Sequence, residues 1–398
     1  MPTEFIHVAE ARRMIRENTD PLAPLKVPLQ DAAGMVLAED IFSKTDIPPF
    51  NQSSMDGYAL NFKGLQTYKH LKIDGVIPAG QGEPAPLMPQ NATRIFTGAV
   101  VPSGADTVVI QEKVKADKGE LLVEDTNLVA GINIRLQGSE IKSGALALEK
   151  NTILTPAAIG FLAGVGTSEV LVFPNPSISI IVTGNELQEP GKPLEHGQVY
   201  ESNSYALIAA LKQLHIENVK IYSAEDTLET LTKVLLQALE QSDVVLLTGG
   251  VSVGDYDFVI RAAALNGVSQ IFHKIRQKPG KPFYFGKKHK QYVFGLPGNP
   301  ASVLTCFYEY VLPALGKMSS REIGLTNLMA PLRTALKKPV GLTHFSKGFY
   351  DGRSVAQLNA QESFRLSSFA KANCLIQMDE GITEYMEGEM VEVHLLPF

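Results

Sequence analysis

Residues 243–257 constrain the fold of this chain more than any other stretch. Asp243 to Leu247 is a β-branched, apolar run that predicts a strand buried on both faces of a parallel sheet. Thr248, Gly249 and Gly250 stop it abruptly. Paired glycines at the carboxyl end of such a strand let the backbone approach a ligand closely. Ser252 and Gly254 keep the following loop small, and Asp255 and Asp257 place carboxylates beside it. Two readings stay open for this stretch alone: a ligand loop at a sheet edge, or a tight turn with a helix-capping aspartate.

The surrounding sequence makes an α/β domain the natural host. From residue 177 the pattern alternates, with a strand at Ser177–Val182, a helix at Asn203–Leu214, a strand at Val219–Tyr222 and a helix at Thr227–Gln241. Strands at Phe283–Phe285 and Tyr292–Gly295 and a helix at Pro300–Leu315 follow. Strand-helix-strand repeats at this spacing predict a mainly parallel sheet with right-handed crossovers. Its strand ends collect Thr183, Gly184 and Glu186, then Asp226, then Thr248 to Gly250, then Gly295 to Pro300 with Pro297, Gly298 and Asn299. Several separate glycine turns on one sheet edge exceed what stability requires and predict a ligand site. Lys274, Arg276, Lys278 and Lys281 crowd a single segment before a strand. They form either a solvated basic turn or a clamp for an anion.

The flanking regions read differently. Residues 5–17 have helical apolar spacing, Leu25 to Leu29 reads as a strand, and Asp31 can cap a short helix at Ala32–Glu39. Leu60 to about Gln137 shows short strands between Gly/Pro turns, an all-β module. Before it, Asp56-Gly57 is either a hairpin turn or a presented carboxylate. Thr97 and Gly98 end a strand and can offer a hydroxyl and amides to an anion, or simply make a turn. Arg135 and Glu140 lie near glycines and read as site residues or as a surface ion pair. Residues 144–173 return to mixed helix and strand, and after about Ser320 short strands predict a terminal β-barrel or sandwich.

Composition narrows the function. A net charge of −6 and no basic, aromatic-interleaved block argue against nucleic-acid binding. The two cysteines, Cys306 and Cys374, are too few and too far apart for a disulfide framework or zinc knuckle, and fit a reducing compartment. Met1 to Phe5 lacks the basic and apolar regions of a signal peptide, and the most apolar window, 156–173, is interrupted by three glycines and Glu169. The expectation is a cytoplasmic protein without a membrane span.

Taken together, the motifs resemble those of the MoeA family, the molybdopterin molybdenumtransferases, to which the gephyrin E domain is related. The matching pieces are Pro48-Pro49-Phe50 with Ser54 to Ala59, Thr97-Gly98-Ala99, Asn133-Ile134-Arg135 and Thr183 to Leu187. Thr248 to Asp257, Lys278 to Pro282 and Gly295 to Pro300 follow in family order. The resemblance implies a multidomain α/β plus β fold. Residues 1–44 and 140–175 would form an elongated mixed domain, 45–139 a β-rich inserted domain, 176–320 a three-layer αβα molybdopterin-binding domain, and 321–398 a β-barrel. It implies a homodimer with a cleft shared between subunits. It also implies insertion of molybdate into adenylyl-molybdopterin, with Mg²⁺ and release of AMP, supplied by an adenylyltransferase and serving acceptor apoenzymes. Asp56, Glu186, Asp226 and Asp257 become implied metal ligands, since Mg²⁺ prefers carboxylate and phosphate oxygen. Thr97, Lys274 and Lys278 join them as implied catalytic groups. Arg135, Glu140, Thr183, Gly184, Gly249, Gly250, Ser252, Lys281 and Pro297 to Pro300 become implied substrate contacts. Three positions depart from the family pattern: Glu140 for Asp, Asn185 for Asp and Lys347 for Arg. The alternatives are a paralogue tuned for tungstate, a pyrophosphatase or adenylyltransferase on the same fold, and a non-catalytic scaffold.

Overall fold

The protein is described here from a computed structural model, whose described residues are 5–250 and 258–397. The chain divides into two compact units. One comprises Lys26–Ala33 and Leu37–Val172, the other the described parts of Met1–Leu25, Gly34–Val36 and Phe173–Phe398.

The larger unit is built on a six-stranded sheet. Its strands run in the order Val219–Ala224, Ile178–Thr183, Val244–Thr248, Gln291–Leu296, Tyr284–Lys288, Ser269–His273. The first four are mutually parallel, Tyr284–Lys288 runs antiparallel to them, and Ser269–His273 pairs antiparallel with Tyr284–Lys288. The apolar runs explain this placement, because successive side chains of a strand point to opposite faces. Val244 and Leu246 enter one core with Ile178 and Ile180, and that core is covered by Leu207 and Leu211 of the helix Asn203–Gln213. Val245 and Leu247 enter the other with Ile181, against Leu231 and Leu235 of Leu228–Gln241 and Val259 of Phe258–Leu265. Two apolar faces between two helical layers make the three-layer arrangement. The N-terminal helix Val8–Asn18 buries Val8, Ala11 and Ile15 in the first of these cores.

Two local expectations change. Ala32–Glu39 is not a helix: a single 3₁₀ turn, Leu29–Asp31, leads to a turn and the strand Val36–Leu37. Gly34, at φ +76°, reverses the chain where a helix would have to continue. The helix expected over 300–315 breaks into Pro300–Cys306, a π-helical turn at Phe307–Val311, and Leu312–Met318. The π turn carries Glu309, which is buried and hydrogen-bonded by Arg12 and by His394 Nδ1.

The C-terminal module has its own sheet, in the order Gln277–Lys278, Thr343–Tyr350, Cys374–Met378, Met390–Leu395, Thr326–Pro331, with Val355–Gln357 added beside Thr343–Tyr350. Its core includes Val355, Ile376, Met378 and Val393. The basic segment contributes the edge strand Gln277–Lys278, in parallel register with Thr343 and His344.

The smaller unit contains the all-β module as a second six-stranded sheet. Its order is Thr107–Ile110, Gly57–Leu60, Asn91–Ile95, His70–Ile77, Glu120–Val123, Val114–Asp117. Ala59 and Val108 face one core, Leu60 and Val109 the other. The later return segment pairs with the early chain, Leu146–Leu148 against Ile41–Phe42. Among the described residues no helix is long and apolar enough to cross a membrane.

Candidate functional site

The carboxyl ends of the parallel strands are level. Val182 pairs with Thr248, Thr248 with Leu296, and Thr183 with Ala224, so four turns leave the sheet at one edge. Between two of them a side chain would not fit. A Cβ on Gly249 would lie 2.6 Å from Thr183 O and 2.8 Å from Thr183 Oγ1, and Gly249 holds φ +86°. Only glycine meets both conditions without strain. The Cβ position of Gly298 is 3.8 Å from Gly249 Cα, and that of Gly250 is 3.9 Å from Asp226 Oδ1. The Glu186 carboxylate packs over Gly184, 2.9 Å from where a Cβ would stand. Asp226 N donates to Asn185 Oδ1 at 3.4 Å. An aspartate at 185 would offer the same acceptor oxygen, so this departure from the family pattern keeps the link between the two turns.

Beside this edge lies a cleft of about 920 Å³. Glu186, Lys278, Lys281, Pro297, Gly298, Asn299 and Pro300 line it, whereas Thr183, Gly184, Asp226, Gly249, Gly250 and Lys274 stand off its lining. The basic segment keeps Lys278 and Lys281 exposed on an ordered backbone. It folds back on itself, with Ile275 N donating to Lys281 O at 3.0 Å, and Gln277 ties the fold from inside. The Gln277 amide is fully buried, donates to Pro279 O at 2.9 Å and Gly280 O at 3.3 Å, and accepts from the Tyr310 hydroxyl. Gly280 is required here, since a Cβ would meet Cys306 Sγ at 2.5 Å. The ammonium of Lys281 lies 4.3 Å and that of Lys274 5.9 Å from the centroid of the Phe5 ring. Gln277 and Phe5 escaped the sequence reading. A lone glutamine and an N-terminal phenylalanine carry no signal until the fold puts them beside the lysines.

In the smaller unit, Asp56 and Thr97 meet. Asp56 Oδ1 accepts from Thr97 N at 2.8 Å and from Thr97 Oγ1 at 2.7 Å. The backbone hydrogen bond first, then the hydroxyl, lowers the Asp56 pKa below the usual carboxylate value. Asp56-Gly57 is not a hairpin turn. Gly57 opens a central strand, and its Cβ would stand 1.9 Å from Val109 O, so glycine serves close strand approach. Arg135 is brought to the same loop, because Ile134–Arg135 pairs with Gln52–Ser53, and Ser53 N donates to Ala99 O. Glu140 is set further along, its N–H donating to Ile47 O at 2.9 Å. Among the described residues, Arg135 and Glu140 form no ion pair with each other. Ser252 and Asp257 lie outside the described residues.

The donors fit a hard cation. Glu186 and Asp226 offer carboxylate oxygen at neighbouring turns of one sheet edge. Among the described residues no group of three or more His, Cys, Asp or Glu side chains gathers, so the protein would supply few ligands. Mg²⁺ tolerates this, since it keeps several waters and takes substrate phosphate oxygens.

Three family models cover the chain in succession: the MoeA N-terminal region (domain I and II) over residues 6–166, a probable molybdopterin binding domain over 179–317, and the MoeA C-terminal region (domain IV) over 329–396. The chain is 35% identical over 396 residues to a molybdopterin molybdenumtransferase of Haemophilus influenzae, covering 96% of this chain and 98% of that one. A relative of the same name from Nostoc is 33% identical, covering 93% and 88%. Among solved structures, a molybdopterin biosynthesis MoeA protein from Pyrococcus horikoshii is similar with a TM-score of 0.83 and 30% identity, over 98% of this chain and 99% of that one. These neighbours share the multidomain fold expected from the sequence.

Proposed function

The chain belongs to the MoeA family of molybdopterin molybdenumtransferases, enzymes of molybdenum cofactor biosynthesis, and on that premise we propose that it transfers molybdate onto adenylyl-molybdopterin with Mg²⁺-dependent release of AMP. The observation that carries this reading is the cleft of about 920 Å³, which gathers Glu186, Lys278, Lys281 and the Pro297–Pro300 turn beside a glycine-built sheet edge.

Each part has a physical task. The Gly249 and Gly298 turns leave space for a phosphate to reach backbone amides. Lys278 and Lys281 hold anionic oxygen, with Lys274 behind them, and Arg135 and Thr97 serve the same end in the inserted domain. Thr97 orients Asp56 and favours its carboxylate form. Glu186, Asp226, Asp56 and Asp257 would hold Mg²⁺, which neutralises charge on a pyrophosphate when bound. The metal cargo ends on the pterin's own soft sulfurs, so no protein thiolate is needed. Both cysteines agree with that role: they are buried, and burial raises the Cys306 thiol pKa and pushes that of Cys374 up to about 12.

The reading extends to a cytoplasmic homodimer whose cleft draws Asp56 and Thr97 from one subunit and Glu186, Asp226 and Asp257 from the other. It keeps the four-domain division at residues 44/45, 139/140, 175/176 and 320/321, an adenylyltransferase as supplier and acceptor apoenzymes as recipients. The test is AMP release from adenylyl-molybdopterin by purified protein, with molybdate and tungstate side by side. Release is expected only when the oxyanion and Mg²⁺ are both present. Full-rate release without oxyanion would identify a pyrophosphatase instead, and preference for tungstate a retuned paralogue. Asp257→Ala is expected to fold and dimerise but lose turnover. Normal turnover in that variant would overturn the metal assignment.

A further inference from the structure

One large apolar side chain on the cleft stays mostly in water. Phe364 lines it and is 61% exposed, a large apolar ring left in water. Tyr200 lines the same cleft, 46% exposed, with its hydroxyl donating to Lys192 O at 2.9 Å, so its ring is held in place. Aromatic rings kept exposed in a concave site mark contact with a flat partner.

The loop that carries Phe364 is unusually well held. Lys347, only 3% exposed, sends its ammonium under the loop and donates to Ala360 O at 2.9 Å, Arg365 O at 3.1 Å and Glu362 O at 3.2 Å. Gln361 closes a second knot: it accepts from Lys347 N at 2.9 Å and donates to Lys347 O at 2.8 Å and Leu358 O at 2.7 Å. Two further bonds tie the loop to the sheet-edge turn, Asn299 Nδ2 to Ser363 Oγ at 2.8 Å and Ala301 N to Ser363 O at 3.0 Å. The backbone that carries the ring therefore stands at a set place relative to the Pro297–Pro300 turn. The Arg365 guanidinium lies 5.5 Å from the Phe364 centroid. An ordered loop binds with less loss of conformational freedom than a loose one.

We propose that Phe364, on the Lys347-anchored loop of the C-terminal module, is a stacking platform for a planar heteroaromatic ring of the substrate, with Tyr200 as a second aromatic wall of the same cleft. This rests on the reading that the substrate is an adenylylated pterin. Such a substrate offers two rings of suitable chemistry, the pterin and the adenine. Stacking on one aromatic side chain is tolerant of ring identity, so both are candidates for the platform. Lys347 acts through the loop and is a positioning residue.

The test is equilibrium binding of two probes to the full-length protein. Pterin-6-carboxylate is followed by quenching of its own fluorescence, excited at wavelengths where protein side chains do not absorb. AMP is followed by calorimetry. Phe364→Ala is expected to weaken one probe about tenfold and leave the other unchanged, which says whether pterin or adenine stacks there. Phe364→Leu keeps apolar area without a π face and is expected to weaken the same probe, whereas Phe364→Tyr restores it. Melting temperatures of all three variants should match the wild type, as suits an exposed side chain. In turnover, Phe364→Ala is expected to raise KM for adenylyl-molybdopterin with kcat little changed. Unchanged affinity of Phe364→Ala for both probes, or wild-type affinity in Phe364→Leu, overturns the stacking platform. Failure of the wild-type protein to bind either probe overturns the substrate reading beneath it, a distinct result.

Discussion

The inserted β module and the cleft of the α/β unit hold their polar groups by opposite means. Asp56 is exposed and is held by an exposed neighbour, Thr97, through two local hydrogen bonds. In the cleft, exposed groups such as Lys278 and Phe364 rest on polar side chains that are themselves buried, Gln277 and Lys347. The difference teaches where stability and function separate. Local, solvated bonds can be removed with little effect on folding, because water replaces them. Buried ones cost more to remove, because water does not replace the lost bond.

Lys347→Met tests this contrast most severely. It removes the ammonium that three loop carbonyls share, although Ala360 O and Arg365 O keep the Ser368 hydroxyl and Glu362 O keeps Arg365 N. The loss of three charge-assisted bonds is expected to lower stability by about 3 kcal/mol, read from denaturant unfolding. A loss below about 0.5 kcal/mol would show that the ammonium behaves like a surface charge. Gln277→Leu comes next. It strips the Tyr310 hydroxyl and the Gly280 turn of their partner, and about 2 kcal/mol of destabilisation is expected. It should also raise KM for the oxyanion, because Lys278 and Lys281 flank the turn. A stable variant with unchanged KM would separate the buried glutamine from the cleft.

The Glu309 network adds a pH signature to the buried side of the comparison. Burial opposes charge on both His394 and Glu309, but their mutual hydrogen bond and attraction, with Arg12 also favouring the Glu309 carboxylate, outweigh it. His394 is raised above 6.5, so its stabilising contribution is complete below pH 6.5 and is lost as pH rises through its folded pKa. Glu309 is lowered below 4.5, so its contribution is present above pH 4.5 and is lost as pH falls through its folded pKa. Melting temperature is expected to decline on the alkaline side of pH 6.5, and His394→Gln should flatten that decline. An unaltered alkaline limb in the variant would remove His394 from the account.

Thr97→Val is the mildest change. It removes one of the two bonds to Asp56, keeps the backbone one and fills similar space. Unfolding should be unaltered, while the Asp56 pKa, followed by carboxyl NMR, moves back toward its ordinary value. Turnover should fall if an ionised, oriented Asp56 matters to the reaction. A marked loss of stability would erase the contrast between the two regions.

Much of the fold was legible. Apolar runs such as Val244–Thr248 announced strands buried on both faces, and glycine turns after them announced a shared edge. Local signals erred where a distant part of the chain decided. Gly57 looked like half of a turn, but the carbonyl of Val109, on another strand, is what excludes a side chain there. The helix expected at 300–315 carries a π turn around Glu309, which is met by Arg12 and His394 from near the two ends of the chain. Of the candidate site, the residues on strand ends were found and those that support them were not. Lys347 was noticed only as a lysine in place of arginine, and its three carbonyl partners lie 13 to 18 residues further on.

The sequence by itself determined the order of elements and the faces they bury, because these follow from periodicity and backbone sterics within a few residues. Tertiary structure alone decided which polar groups meet. It set Phe5 against Lys281, turned Gln277 inward and anchored the Phe364 loop on Lys347, because a hydrogen bond or a ring contact is settled by distances of a few ångströms between segments that sequence leaves far apart.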